Sequence, residues 1–455
     1  MKVSATKNIT IVGAGLVGSL LAVLLAQRGF KIDLFERNPD GRKTGMPIGR
    51  SINLALTERG RYPLQLAGIL NSVDEFTIPM SGRQMHYLDG SKAFQAYGKD
   101  PSEVNYSVHR ALLNHCMLDA AEATGLVNIY FNHTLEAIDF DAKQATFNTA
   151  EKGVNSSHDY QIIIGADGAF SALRTSLKTK TKIGETIDSL EHGYRELAIP
   201  PGADGNFQLD PGALHIWPRG GFMLIALPNA DHSFTVTLFM AHKSSPDNPG
   251  FDQLANWQQQ HDFFTQQFPD TLPFLSNLQQ DFIDNPESHL ATIRCQRWQY
   301  GDALLIGDAA HGIVPFHGQG MNAGFEDCSE FVRLLDAKEH SEWNDLFKAF
   351  ENCRKENTDA IADMALENYA IMRDRVMDQS FLLRKQLEHE LERRFPDKFI
   401  GRYSLVMFHR TPYAEVYKTG IKQDLILDEL LDGAESIAEI NWGNAEKLLK
   451  GTSIN

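Results

Sequence analysis

Residues 8–37, NITIVGAGLVGSLLAVLLAQRGFKIDLFER, constrain the fold of this chain more than any other stretch. Ile9, Ile11 and Val12 read as a short apolar strand, residues 20–27 as an apolar helix, and residues 31–35 as a second strand ending at Glu36. Between strand and helix, Gly13, Gly15 and Gly18 fit G-x-G-x-x-G. The first glycine permits a tight turn, the second lets backbone approach a pyrophosphate, and the third lets the helix pack closely on the strand. The helix then presents its N-terminal N–H groups to the phosphates. Glu36 stands where a carboxylate would accept from ribose hydroxyls. Strand, helix and acid agree on a βαβ dinucleotide site lined by Gly13, Gly15, Leu16, Val17, Gly18, Glu36 and Arg37.

A chain of 455 residues exceeds one ordinary core, so two or three domains of a soluble α/β protein (α+β overall) are expected. Its 43 basic and 59 acidic residues give a net charge of −16, which opposes binding to nucleic acid or to an anionic membrane. Cys116, Cys295, Cys328 and Cys353 form no C-x-x-C pair and no metal-ligand spacing. They suit a reducing compartment without disulfides or zinc. The first strand begins soon after Met1 and no apolar run reaches the length of a bilayer span, so a cytoplasmic protein without signal peptide or membrane span is expected.

Past Glu36 the chain enters a loop rich in Gly and Pro, residues 38–47, and then a helix capped by Thr57 and running to about Leu70. No C-x-x-x-x-C follows the fingerprint, which argues against a disulfide reductase. Residues 76–97 read as strands and turns, and residues 105–123 show helical periodicity, with Arg110 opening the helix where a cation could meet a phosphate or the edge of a flavin. Two further strand ends carry an Asp beside glycine: IIIGADGAFSALR at 162–174 and ALLIGD at 303–308. After the second, Gly318, Gln319 and Gly320 open a helix through Met321, Asn322 and Phe325, whose N-terminus offers N–H groups to an anion. Residues 191–240 read as sheet, with Met223, Ile225 and Leu227 on one face and Thr235, Thr237 and Phe239 on another shared face. From about Phe331 the pattern is helical, with amphipathic stretches at 343–377 and 381–394.

Taken in order, GAGLVG, GADGAFSALR and LLIGDAAHGIVPFHGQGMNAGFED resemble the single-component FAD-dependent aromatic monooxygenases, the group of para-hydroxybenzoate hydroxylase. Within that group, RSINLALTERG, HIWPRGGFMLIALPN, ENYAIMRD and GRYSLVMFHRTPYAEVY resemble the branch that acts on L-kynurenine. The resemblance implies a Rossmann-like FAD-binding domain made of residues 1–75, 100–180 and 290–335, a mixed-sheet substrate domain at 76–99 and 181–289, and a C-terminal helical region at 336–455. It implies non-covalent FAD, with NADPH and O2 as co-substrates and no separate NADPH domain. It implies further that oxygen would add at C4a of the reduced flavin and pass to the ring, giving 3-hydroxy-L-kynurenine. Arg110 and Asp308 would hold the pyrophosphate and ribityl regions, Gly320, Met321 and Asn322 the flavin end, and Asp167 belongs to a motif linked with both FAD and NADPH.

By the same resemblance, Arg83 and Tyr97 hold the amino-acid carboxylate, and Asn368 and Tyr403 lie near the amino-acid head. Ile225, Leu227, Phe239, Phe316 and Met372 line the ring, with His317 beside them. His311 and His317 are read as structural or hydrogen-bonding groups, because an aromatic amine already enriches the ring and no protein base is needed. Membrane-bound relatives carry a C-terminal anchor, and the tail SIAEINWGNAEKLLKGTSIN is too polar to span. The residues leave open another aromatic acid as substrate, a non-catalytic flavoprotein that binds partners, and the oligomeric state, a homodimer included.

Overall fold

The computed structural model describes residues 2–44, 53–149, 154–374 and 379–450. Parallel pairing of Asn8–Val12 with Lys31–Phe35 on one side and Ile162–Gly165 on the other makes the centre of a six-stranded sheet. The order continues outward through Ala303–Leu305 to Gln299–Tyr300 at one edge and to Val127–Tyr130 at the other. Only the Gln299–Tyr300 edge runs antiparallel. Ile9, Ile11, Ile32, Leu34 and Ile162 to Ile164 are fully buried, as strands covered on both faces must be. Helix Leu16–Ala26 is apolar all round and buried along all but one of its positions, which explains its weak amphipathy.

A second, mixed sheet of seven strands runs in the order Ser288–Arg294, Thr186–Ile199, Phe234–Ala241, Met223–Pro228, Ala213–Pro218, Gly82–His86, Lys92–Ala96. Its register sets Arg83 beside Leu214, Ile225 between Ile216 and Thr237, and Phe239 between Met223 and Tyr194. Alternation then puts Arg83, Ile225, Leu227, Thr235, Thr237 and Phe239 on one face. The opposite face carries Trp217, Leu224, Phe234, Val236 and Leu238 into a core with Phe263, Phe264 and Phe268, closed by helices Trp257–Gln267 and Leu278–Asp284. Each such aromatic contributes roughly 1.5–3 kcal/mol by leaving water.

The chain packs as two units, each built from three segments. One comprises Met1–Thr77, Val108–Ser189 and Ala291–Ala362, and the other Ile78–Ser107, Leu190–Leu290 and Asp363–Asn455. The helical stretch expected as a region at 336–455 divides between them at Ala362. Among the described residues no helix is long and apolar enough to cross a membrane.

Several expected boundaries move. The helix after Thr57 is Glu58–Leu66, ending before Gly68 at φ +75°, and Leu70–Asp74 is a separate short helix. Thr57 occupies the N-cap position, but its hydroxyl makes no cap bond. Arg110 opens its helix as expected, Arg110–Ala123, with His109 capping it by accepting from Leu112 N–H, but the preceding Asn105–His109 is a strand and no part of the helical stretch. The fingerprint helix begins at Leu16, four residues before Leu20. Gly41–Thr44 is a helical turn within the expected loop, whose residues 45–47 lie outside those described. The long helix is Trp343–Asp374, and residue 377 lies outside the described residues.

Candidate active site

Three sequence motifs converge in the first unit, and sterics at glycine show how. A Cβ on Gly13, which has φ +99°, would sit 2.5 Å from the Ala166 carbonyl oxygen, so the fingerprint turn lies against the Gly-Ala-Asp-Gly loop. A Cβ on Gly18 would fall 1.9 Å from the Gly13 oxygen, which is the helix-on-turn contact expected of that glycine. Val17 wedges against the third motif: Cβ atoms on Gly307 and Gly324 would lie 3.1 and 2.7 Å from its methyls. A Cβ on Gly15 would meet nothing within 4 Å, so the space over the fingerprint loop is open.

Glu36 Oε2 accepts from Ala14 N–H at 2.9 Å while Oε1 accepts from the Asn38 N–H and amide, which fixes the carboxylate at the strand end. Arg37 and Arg110 are exposed. Asp308 keeps access to solvent yet is ringed by protein, and burial pushes its pKa up against the pull of His311 and Arg110. In helix Gly320–Ala337 the first intrahelical bond runs from Ala323 N–H to the Gln319 carbonyl, so the N–H groups of Gly320, Met321 and Asn322 precede the ladder. The Asn322 side chain is already engaged, donating to the Ala55 and Gly318 carbonyls and accepting from Thr57 N–H. Its expected contact with a cofactor is thereby narrowed to its backbone. Asp167 likewise caps helix Ala172–Leu177, accepting from Ser171 Oγ at 2.6 Å and Ala172 N–H at 2.7 Å, and burial raises its pKa.

Beneath the Asp308 turn lies a buried chain of alternating charge that the sequence did not announce. Arg59 donates to Glu326 Oε1 at 2.6 Å, Arg354 donates to Glu326 Oε2 and Asp327 Oδ1 at 2.7 Å each, and Asp327 Oδ2 accepts from His311 Nε2 at 2.6 Å. The same Oδ2 accepts from Gly307 N–H at 3.1 Å, tying the Asp308 turn to the helix. Burial acts against the Asp327 charge, but His311 and Arg354 overcome it and hold its pKa low. His311 is thus part of a structural network, as its reading as a hydrogen-bonding group anticipates. Asn114, also missed, donates to the Ala14 carbonyl at 2.9 Å and steadies the fingerprint loop.

The second unit gathers a different set. The Arg83 guanidinium lies over the rings of Tyr403, 4.7 Å from its centroid, and Tyr97, 5.5 Å away. Burial works against its charge, but the phenols of Tyr403 and Tyr97 overcome it and raise its pKa. Both phenols are themselves pushed up by burial and stay protonated. The two rings stack at 5.8 Å, and Asn105 donates its amide to Tyr403 Oη at 3.3 Å. Met80, Tyr97 and Leu227 form an apolar cluster against which Ile225, Leu214, Tyr403 and Phe408 pack. Phe239 lies buried with the Tyr194 ring 6.1 Å away. Asn368 is half-buried on the long helix, beside Tyr369, whose hydroxyl bonds His192 Nδ1 at 2.6 Å. Met372 lies on that helix with its side chain outside the described residues. Phe316 and His317 belong to the first unit, on the short helix Pro315–His317, each about nine-tenths buried.

A glycine-rich loop with a carboxylate at the next strand end and a second helix N-terminus is the arrangement of the dinucleotide-binding class. The family described as FAD binding domain matches residues 6–365. Solved structures share the fold at low identity. A tetrameric form of 2-methyl-3-hydroxypyridine-5-carboxylic acid oxygenase gives a TM-score of 0.67 at 18% identity over 83% of this chain and 96% of that one. P. aeruginosa PqsL in complex with 2-aminobenzoylacetate gives 0.66 at 16% over 81% and 97%. The kynurenine 3-monooxygenase of Stenotrophomonas maltophilia (strain K279a) is 45% identical over 97% of this chain and 96% of its own length. That of Xanthomonas campestris pv. campestris (strain 8004) is 44% identical over 96% and 95%. The chain belongs to the kynurenine 3-monooxygenase family of FAD-dependent monooxygenases.

Proposed function

We propose that this enzyme hydroxylates L-kynurenine to 3-hydroxy-L-kynurenine, using FAD, NADPH and O2. The observation that carries the reading is near full-length identity of 45% to a kynurenine 3-monooxygenase. It joins a chain whose open Gly15 loop, Glu36 and pre-ladder N–H groups at Gly320 fit an adenine dinucleotide. Bound FAD supplies acceptance of reducing equivalents from NADPH and activation of O2, one atom entering the ring and the other leaving as water.

The protein's part is binding, orientation and exclusion of water. Gly13, Gly15, Leu16, Val17, Gly18, Glu36 and Arg37 hold the adenosine and pyrophosphate, with Arg110 and Asp308 along the chain, Gly320, Met321 and Asn322 through backbone N–H groups, and Asp167 at the loop beside Gly13. A carboxylate has few stable homes at this depth except against a cation, and Arg83 kept charged between two phenols is one. Arg83, Tyr97, Asn368 and Tyr403 therefore take the amino-acid head. Ile225, Leu227 and Phe239 keep the ring dry, so that activated oxygen meets carbon instead of water. No acid or base is assigned to the protein. The free cysteines among the described residues support a cytoplasmic location. The test is anaerobic reduction by NADPH with and without L-kynurenine, followed by product analysis in air. Stimulation by a benzoate or salicylate but not by kynurenine would reassign the substrate.

A further inference from the structure

The Arg83 cluster contains a buried polar atom with no partner among the described residues. Asn105 opens strand Asn105–His109 and is 2% exposed. Its amide nitrogen donates to Tyr403 Oη at 3.3 Å, and its contact with Tyr97 also favours the ionised phenol. Its carbonyl oxygen Oδ1 is buried and has no hydrogen-bond partner among the described residues. Buried acceptors in folded proteins are paired in the great majority, so an orphan beside a cluster of donors asks what it is kept for.

Charge supplies the answer. Around this point stand a guanidinium, which only donates, and two protonated phenols that lie against it. That set suits a carboxylate and repels a cation. An α-amino acid carries both charges on groups attached to one carbon, so beside Arg83 and the phenols its ammonium needs a neutral acceptor in addition to the Asn368 contact proposed for the same head. Asn105 Oδ1 is a neutral, desolvated acceptor in that neighbourhood, with its donor end already committed to Tyr403. We infer that Asn105 Oδ1 receives the α-ammonium of the amino-acid substrate, making Asn105 the residue that distinguishes an amino acid from the corresponding simple carboxylic acid. The inference rests on the reading of Arg83 as the carboxylate anchor.

Calorimetric titration of the oxidised FAD-loaded enzyme, without NADPH, separates the two assignments. The ligands are L-kynurenine and 3-(2-aminobenzoyl)propanoate, which keeps ring, ketone and carboxylate but lacks the ammonium. Asn105→Leu weakens L-kynurenine about tenfold or more, the range for a hydrogen bond to a charged group, and changes the propanoate less than about twofold. Asn105→Asp keeps an acceptor, so its preference for L-kynurenine over the propanoate stays at or above that of the parent enzyme. This variant carries the test if the leucine form does not retain FAD. Arg83→Ala weakens both ligands alike. Equal weakening of both ligands by Asn105→Leu, no effect on either, or loss of the ammonium preference in Asn105→Asp overturns the assignment. If Arg83→Ala leaves both ligands unaffected, the carboxylate anchor itself falls, and the ammonium contact with it.

Discussion

Asp327 sets a measurable debt of charge inside the first unit. It is fully buried and accepts from Gly307 N–H, His311 Nε2 and Arg354 Nε. Among Arg59, Glu326, Arg354 and Asp327, two cations balance two anions. Asp327→Asn leaves that chain one positive charge in excess and turns one of its donors toward an amide N–H. Breaking a buried pair from one side costs about 3–5 kcal/mol, because the remaining charge stays desolvated. Arg354→Met creates the opposite excess at a similar cost. In the double variant the two excesses cancel, so its loss should fall about 2 kcal/mol or more short of the sum of the singles. Urea unfolding followed by tryptophan fluorescence at fixed saturating FAD gives the cycle. Additivity within about 0.5 kcal/mol would refute the idea that these side chains act as one network. A second readout follows from the Gly307 bond: Asp327→Asn should release FAD faster, because the turn bearing Asp308 loses its charged anchor.

Three further outcomes are expected. Arg83→Ala should weaken L-kynurenine binding by about 1.5–3 kcal/mol with FAD content unchanged, and loss of FAD with normal kynurenine affinity would move Arg83 to the cofactor. Gly15→Ala should fold normally and bind FAD less tightly, since its Cβ meets only the open space over the loop, whereas Gly18→Ala should destabilise the fold through its 1.9 Å clash with Gly13; equal thermal stability in the two apoproteins would contradict this. His215 has its pKa pushed down to about 4 from 6.5, chiefly by burial and against the pull of the Asp210 carbonyl. The unfolded chain therefore takes up this proton first, and stability that is complete above pH 6.5 is lost as pH falls toward about 4, by roughly 3 kcal/mol at most. A His215→Phe variant with an unchanged slope of unfolding free energy against pH in that window would show that His215 is not responsible.

The fingerprint was legible because the Gly18 contact with Gly13 is local and the flanking strands and helix carry their own apolar pattern, and the loops at Asp167 and Asp308 were legible as the ends of apolar strands. Residues 105–109 were misread because Asn105, Ser107 and Val108 are buried by packing that overrides their continuity with the following helical pattern. That the Asn322 side chain is engaged within the protein was not legible, because its partners Thr57 and Ala55 lie 265 and 267 residues away. Arg59 and Glu326, also 267 residues apart, carry no local sign of each other. Asn105 is the sharper lesson. Its importance lies in a bond not made, which no spacing or periodicity encodes.

The segmented order of the two units bears on how a nascent chain acquires them. Strand Ile162–Gly165 is buried and apolar on both faces, and one of its edges is covered only by Ala303–Leu305. Between the two, synthesis must pass through Leu190–Leu290, which belongs to the other unit. Until residue 305 has left the ribosome, the dinucleotide sheet therefore ends in a hydrophobic edge with unpaired backbone groups, the kind of surface that recruits another chain. Neither unit can be finished before the other is well under way, and a product truncated before Ala303 should accumulate as aggregate instead of as a free flavin-binding fragment.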